Sequence, residues 1–124
     1  MAIRGIDHIN IGTHRLDETR AFFRDVLGLT EGWRPNFPFG GAWLYADDRA
    51  VVHLVELAAP KGPSDAAALD HFAFAIDDYD DSVRKLDASG VAYRATVTPG
   101  APIRQIFIRD LNGVNIELNY REPA

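Results

Sequence analysis

Four side chains in this sequence have the chemistry to hold a metal ion together: His8, His53, His71 and Glu117. Imidazole and carboxylate are the usual nitrogen and oxygen donors for divalent ions. Their placement gives them meaning. Asp7-His8 lies in the alternating run Ile6-Asp7-His8-Ile9-Asn10-Ile11, and Asp70-His71 lies in Leu69-Asp70-His71-Phe72-Ala73-Phe74, half a chain further on. Each half also ends on an alternating run with a further candidate, His53 in residues 50–55 and Glu117 in residues 114–118. A duplicated module with one donor on its first strand and one on its last points to a single metal held between two related halves. Taken singly, each histidine is as well explained as an exposed or structural residue. Their joint placement carries the argument.

The elements that must position these residues follow from periodicity. Residues 3–12 alternate as a strand, with Ile9 and Ile11 on one face and His8 and Asn10 on the other. Residues 16–27 form an apolar stripe through Leu16, Phe23 and Leu27, which predicts a helix stopped by Gly28 in a left-handed conformation. Strands are expected over residues 42–46 and 50–57, and a less regular one between 29 and 39. The order then repeats. A strand at 69–76 precedes a helix capped by Asp77 or Asp78 and ended by Gly90, and strands at 91–97, 103–109 and 114–120 follow. Asn112-Gly113 marks a hairpin turn. Each half is thus β-α-β-β-β: module 1 at about 1–59, a linker at about 60–67 and module 2 at about 68–124. Period-two geometry puts Phe72, Phe74 and Ile76 on the packing face and leaves His71 opposite, beside Ala73 and Ala75. It also sets Glu117 against the apolar face of Val114, Ile116, Leu118 and Tyr120.

The bulk numbers exclude several classes. A chain of 124 residues, 47% hydrophobic and 25% charged, fits one compact domain. Its net charge of −5 and scattered basic residues argue against a nucleic-acid partner. No apolar run approaches the roughly 20 residues needed to cross a bilayer, and the chain opens without a leader-like pattern, so a cytoplasmic location is expected. With no cysteine, disulfide and thiolate chemistry are absent.

Residues 6–10, the helix end Val26-Leu27-Gly28-Leu29, the strand at 69–76 and the stretch FIRDLNGVNIEL at 107–118 together resemble the vicinal oxygen chelate superfamily. The resemblance covers nearly the whole chain. That family includes glyoxalase I, extradiol ring-cleaving dioxygenases and the fosfomycin and bleomycin resistance proteins. The resemblance implies an α+β fold in which two βαβββ modules form a cup-shaped mixed sheet with helices outside. It also implies one divalent ion (Zn, Ni, Co, Mn or Fe) at His8, His53, His71 and Glu117. A homodimer with sites shared between chains is implied as well, taking His8 and His53 from one chain and His71 and Glu117 from its partner. The implied function is a glyoxalase-like lyase or isomerase acting on a small substrate with vicinal oxygens, with Glu117 or His53 moving the proton. Glyoxalase I typically carries glutamate at the position of His53. Without it, His8, His71 and Glu117 form the two-His-one-carboxylate set that suits Fe(II) oxygenases, and His53 is either a fourth ligand or a base.

Two alternatives stay open at this stage: an Fe(II) extradiol dioxygenase, and a non-catalytic small-molecule-binding or resistance protein. Trp43 and Tyr45, on one strand face, are candidates for substrate contact, and Arg104 for binding an acidic group. Arg34 and Arg94 are read as solvated edge charges. The Asp77–Asp81 acidic run is read as the start of a helix, where it complements the helix dipole.

Overall fold

A computed structural model of the protein describes residues 1–123. The chain divides into two compact units after Lys61. In the first unit the order is β1 (Ile9–Thr13), α1 (Leu16–Ala21), a π turn (Phe22–Val26), β2 (Thr30–Gly32), β3 (Gly41–Ala46) and β4 (Arg49–Glu56). In the second it is a 3-10 turn (Ser64–Ala66), β5 (His71–Ile76), α2 (Tyr79–Ser89), β6 (Arg94–Val97), β7 (Ile103–Arg109) and β8 (Asn115–Arg121). Both are βαβββ units, and the fold is α+β.

Each unit builds the same mixed four-stranded sheet, ordered β1-β4-β3-β2 in the first and β5-β8-β7-β6 in the second. The first strand runs parallel to the last, and the remaining pairs are antiparallel. The core rows correspond. Ile11, Leu54 and Ala42 lie side by side across the first sheet, as do Phe74, Leu118 and Ile106 across the second. Leu44 and Val52, Ile106 and Ile116 are fully buried, each such side chain stabilising its unit by about 1.5–3 kcal/mol relative to exposure. In the first unit Phe23 joins this layer with no exposure, and α1 packs on β3 and β4. In the second, Leu86 of α2 is buried, and Tyr79 meets Tyr120 at 6.0 Å.

The first helix departs from the sequence expectation. Its α-helical part stops at Ala21, and residues 22–26 widen into the π turn. Leu27 N–H reaches back five residues to Phe22 O and Leu29 N–H six to Phe23 O. The wider turn satisfies the helix end while Phe23 fills the core. Gly28 then takes φ +74°, the left-handed value its position required. The first strand also starts later than the alternation suggests, at Ile9 rather than residue 3. Its register with β4 begins at Ile9–Val52, so residues before about Ile6 lie beyond the start of β4 at Arg49 and have no strand to pair with in this unit. The second helix is capped by Asp78, whose Oδ1 accepts from Asp81 N–H at 2.9 Å. The turn before β8 is held by buried Asp110, whose Oδ1 accepts from Asn112 and Val114 N–H at 2.9 Å each, with Gly113 at φ +83°.

Candidate functional site

The face of each sheet opposite the core carries one row of matched positions. In the first unit, Asn10, His53 and Trp43 are neighbours across β1, β4 and β3. In the second, Ala73, Glu117 and Phe107 are neighbours across β5, β8 and β7. Two residues upstream of Asn10 and Ala73 stand His8 and His71, with side chains 39% and 40% exposed. The internal repeat therefore extends from sequence to register: His8 matches His71, His53 matches Glu117, and Trp43 matches Phe107.

Both upstream histidines are oriented alike. His8 Nδ1 lies 2.7 Å from Asp7 Oδ1, and His71 Nδ1 lies 2.8 Å from Asp70 Oδ1. A carboxylate accepts, so Nδ1 carries the proton in the neutral ring and Nε2 keeps a free lone pair, the usual arrangement of a metal-binding imidazole. The His8 hydrogen bond is also the main reason the Asp7 carboxyl is held below its ordinary pKa. Asp7 and Asp70 thus serve as hydrogen-bonding partners of the ring beside them.

In the second unit the donors converge. His71 Nε2 is 3.5 Å from Glu117 Oε1, and Asn119 Nδ2 donates to Glu117 Oε2 at 2.8 Å. Phe107 meets the His71 ring edge-on at 6.1 Å. Glu117 is only 6% exposed, and among the described residues no Lys or Arg forms an ion pair with it. Burying a carboxylate without a cation is costly. The pair Glu117 Oε1 and His71 Nε2 is a fitting seat for a divalent ion.

In the first unit the rings stack instead. His53 lies between His8, at a centroid distance of 3.7 Å and 12°, and Trp43, at 3.9 Å and 11°. Its Nε2 is 3.1 Å from Ala50 O; a carbonyl only accepts, so Nε2 bears the proton and Nδ1 is the ring's acceptor. Burial first, and the His8 ring second, lower the His53 pKa, which favours the neutral ring. A metal lies in the plane of its imidazole ligand, about 2.1 Å from nitrogen. Two stacked, nearly parallel planes do not meet within that distance, so in this arrangement His8 and His53 do not share one ion. Among the described residues no group of three or more His, Asp or Glu is placed to hold a metal; the donors come in pairs, one pair per unit.

The remaining candidates separate. Trp43 is in the stack, and Trp33 meets it edge-on at 5.8 Å. Tyr45 donates from its hydroxyl to Trp33 O at 2.6 Å. Arg104 shares the parity of buried Ile106 and Ile108, which puts it on the face opposite Glu117, where its guanidinium sits 3.7 Å from the Tyr79 ring centroid. Arg94 is exposed on the edge strand, as its reading as a solvated charge expects, and also lies 4.6 Å over the Phe107 ring, on the face of Glu117. Arg34, also passed over, lines a cavity beside His53 with Phe37 and Phe39. His14 is exposed.

Comparison with known proteins agrees on the fold. Residues 5–118 match the family model described as Glyoxalase/Bleomycin resistance protein/Dioxygenase superfamily. The chain is 28% identical over 123 residues to Glyoxylase I 4 of Arabidopsis thaliana, covering 94% of this chain and 70% of that protein. A glyoxalase family protein from Bacillus anthracis superposes with TM-score 0.82 at 22% identity, over 98% of both chains. The E126Q mutant of the fosfomycin resistance protein FosX from Listeria monocytogenes, complexed with Mn(II) and 1S,2S-dihydroxypropylphosphonic acid, superposes with TM-score 0.77 at 18% identity. That match covers 98% of this chain and 95% of the other. No helix among the described residues is long and apolar enough to cross a membrane.

Proposed function

Because the chain belongs to the Glyoxalase/Bleomycin resistance protein/Dioxygenase superfamily, we propose that it is a divalent-metal enzyme that grips two neighbouring oxygens of a small substrate, a glyoxalase-like lyase or isomerase. The observation that carries this reading is Glu117, a buried carboxylate facing the free Nε2 of His71 with no Lys or Arg paired to it among the described residues. The Mn(II) complex of FosX, a fold neighbour, adds support. His8, His71 and Glu117 would hold the ion. The module plan of the family supports combining the donors of both kinds of unit, in a homodimer. When bound, a divalent cation would supply Lewis-acid stabilisation of negative charge on the two substrate oxygens.

The chain's own residues do the rest. Asp7 and Asp70 accept from Nδ1 of His8 and His71, the tautomer that in the neutral ring leaves the Nε2 lone pair for a ligand. Asn119 holds Glu117 by its Oε2 and leaves Oε1 toward His71. His53 takes the role of base, the second of its two roles considered from the sequence. Burial lowers its pKa and so favours the neutral ring, its Nδ1 is an acceptor, and the rings of His8 and Trp43 fix its plane.

Elemental analysis of protein purified without added metal or chelator tests the reading. A bound divalent ion is expected in the native chain and its loss in Glu117→Gln and His71→Ala. Unchanged metal content in both variants overturns it. A second reading is favoured by the donor set itself: two histidines and one carboxylate suit an Fe(II) ring-cleaving dioxygenase. Iron together with oxygen consumption on catechols selects that reading. Nickel, cobalt, zinc or manganese with turnover of α-keto aldehydes selects the first.

A further inference from the structure

A cavity of about 130 Å3 opens within the first unit, lined by Asn10, Arg34, Phe37, Phe39, Trp43 and His53 with Leu54 and Val55. The chain between β2 and β3 forms one wall of it, through Arg34, Phe37 and Phe39. Arg34 pins that segment: its Nη2 donates to Phe39 O at 2.9 Å, and its guanidinium lies 5.0 Å from the Phe37 ring and 5.2 Å from the Phe39 ring. The two phenyl rings are themselves parallel within 10°, with centroids 5.1 Å apart. Gly41 is required here. A Cβ at that position would meet Leu54 O and, at 2.8 Å, Arg34 Nη2.

Three properties of this cavity define what it takes. Its size is close to the roughly 150 Å3 that admits a single benzene ring in an apolar protein interior. Its walls are flat and aromatic, and such walls favour a planar guest over a saturated one of equal area. Its one charge is positive. Among the described residues no carboxylate forms an ion pair with Arg34, so a guanidinium already held in place has donors to spare for an acid group. His53 completes the wall.

We propose that this cavity is the subsite for one aromatic ring bearing an acid group, the part of the substrate remote from its vicinal oxygens. Arg34 meets the acid, and Phe37, Phe39 and Trp43 meet the ring. The substrate class is therefore a small aryl acid rather than an aliphatic keto aldehyde. This rests on the metal-enzyme reading above for the word substrate, but the binding itself does not need the metal.

The test is calorimetric or NMR titration of the purified 124-residue chain with benzoate, cyclohexanecarboxylate and benzyl alcohol. Benzoate matches both features; each of the others lacks one. Saturable benzoate binding is expected, with cyclohexanecarboxylate and benzyl alcohol each weaker by about tenfold. Arg34→Gln should weaken benzoate by about tenfold while leaving benzyl alcohol unchanged. Phe37→Leu, at an exposed position that tolerates substitution, should weaken benzoate several-fold. Glu117→Gln, which removes a proposed metal ligand, should leave benzoate binding intact. Equal affinity for all three probes, or insensitivity to both Arg34→Gln and Phe37→Leu, overturns the proposal. Loss of benzoate binding in Glu117→Gln also overturns it, because the anion then sits on the metal. Loss of metal from Glu117→Gln is read separately by elemental analysis, so the subsite and the metal centre fail independently.

Discussion

The two units of this chain share one frame and fill it differently. Strand order, register and the Asp-His pair upstream repeat nearly residue for residue. At the matched position on the last strand, the second unit has Glu117, buried and facing His71 Nε2. The first has His53, proton on Nε2 and ring faces covered by His8 and Trp43. A carboxylate beside an imidazole is the pair that the proposed metal site rests on. A second imidazole there stacks on the first within 12° of parallel. The strand frame is shared, and the side chain at the matched position of the last strand differs.

The comparison is most exposed to the paired aspartates. If both upstream histidines ligate, Asp7→Asn and Asp70→Asn must each weaken metal binding, by about 10–100-fold. Competition with a metal indicator dye measures this. An effect confined to Asp70→Asn would break the equivalence and leave His8 outside the metal site.

Glu117 should also reveal itself in the metal-free chain. A buried carboxylate with no Lys or Arg beside it destabilises the fold even with Asn119 donating to it, so Glu117→Gln is expected to raise the stability of the metal-stripped protein by about 1–3 kcal/mol. Urea denaturation in the presence of chelator measures it. The same substitution that costs function would gain stability, and a loss of stability instead would mean that Glu117 is already satisfied without a cation.

The smallest effect belongs to His53. Burial, and then His8, hold its pKa below the ordinary 6.5. The folded chain thus favours the neutral ring, and this contribution is complete above pH 6.5 and lost as pH falls through the lowered value. Thermal unfolding between about pH 7.5 and 5.5 should show the native chain losing more stability than His53→Gln. Parallel pH profiles would remove His53 as the source of this pH dependence.

Much of this was legible from residues alone, for identifiable reasons. The Asp-His pairs are adjacent in sequence, so their hydrogen bonds follow from local geometry. Strand parity correctly separated His71 and Glu117 from the core rows, and the same parity puts Arg104 with Ile106 and Ile108, on the helix side. That signal was present in the sequence, since residues 104, 106 and 108 alternate away from Phe107. Other features depend on contacts between distant residues. The His8–His53–Trp43 stack needs the register of β1 on β4 and of β4 on β3. The Arg34 cavity depends on how an irregular segment folds back on the sheet, and no periodicity marks it. The π turn at Phe22–Val26 is set by where Phe23 buries, not by composition. β2 is three exposed residues, too short to alternate.

The claim that position 117 ligates and position 53 does not is tested most directly by Mn(II) titration followed by electron paramagnetic resonance, on the native chain, Glu117→Gln and His53→Gln. Saturable binding that survives in His53→Gln and is lost in Glu117→Gln is the expected result. Equal loss in both variants, or survival in both, would contradict it.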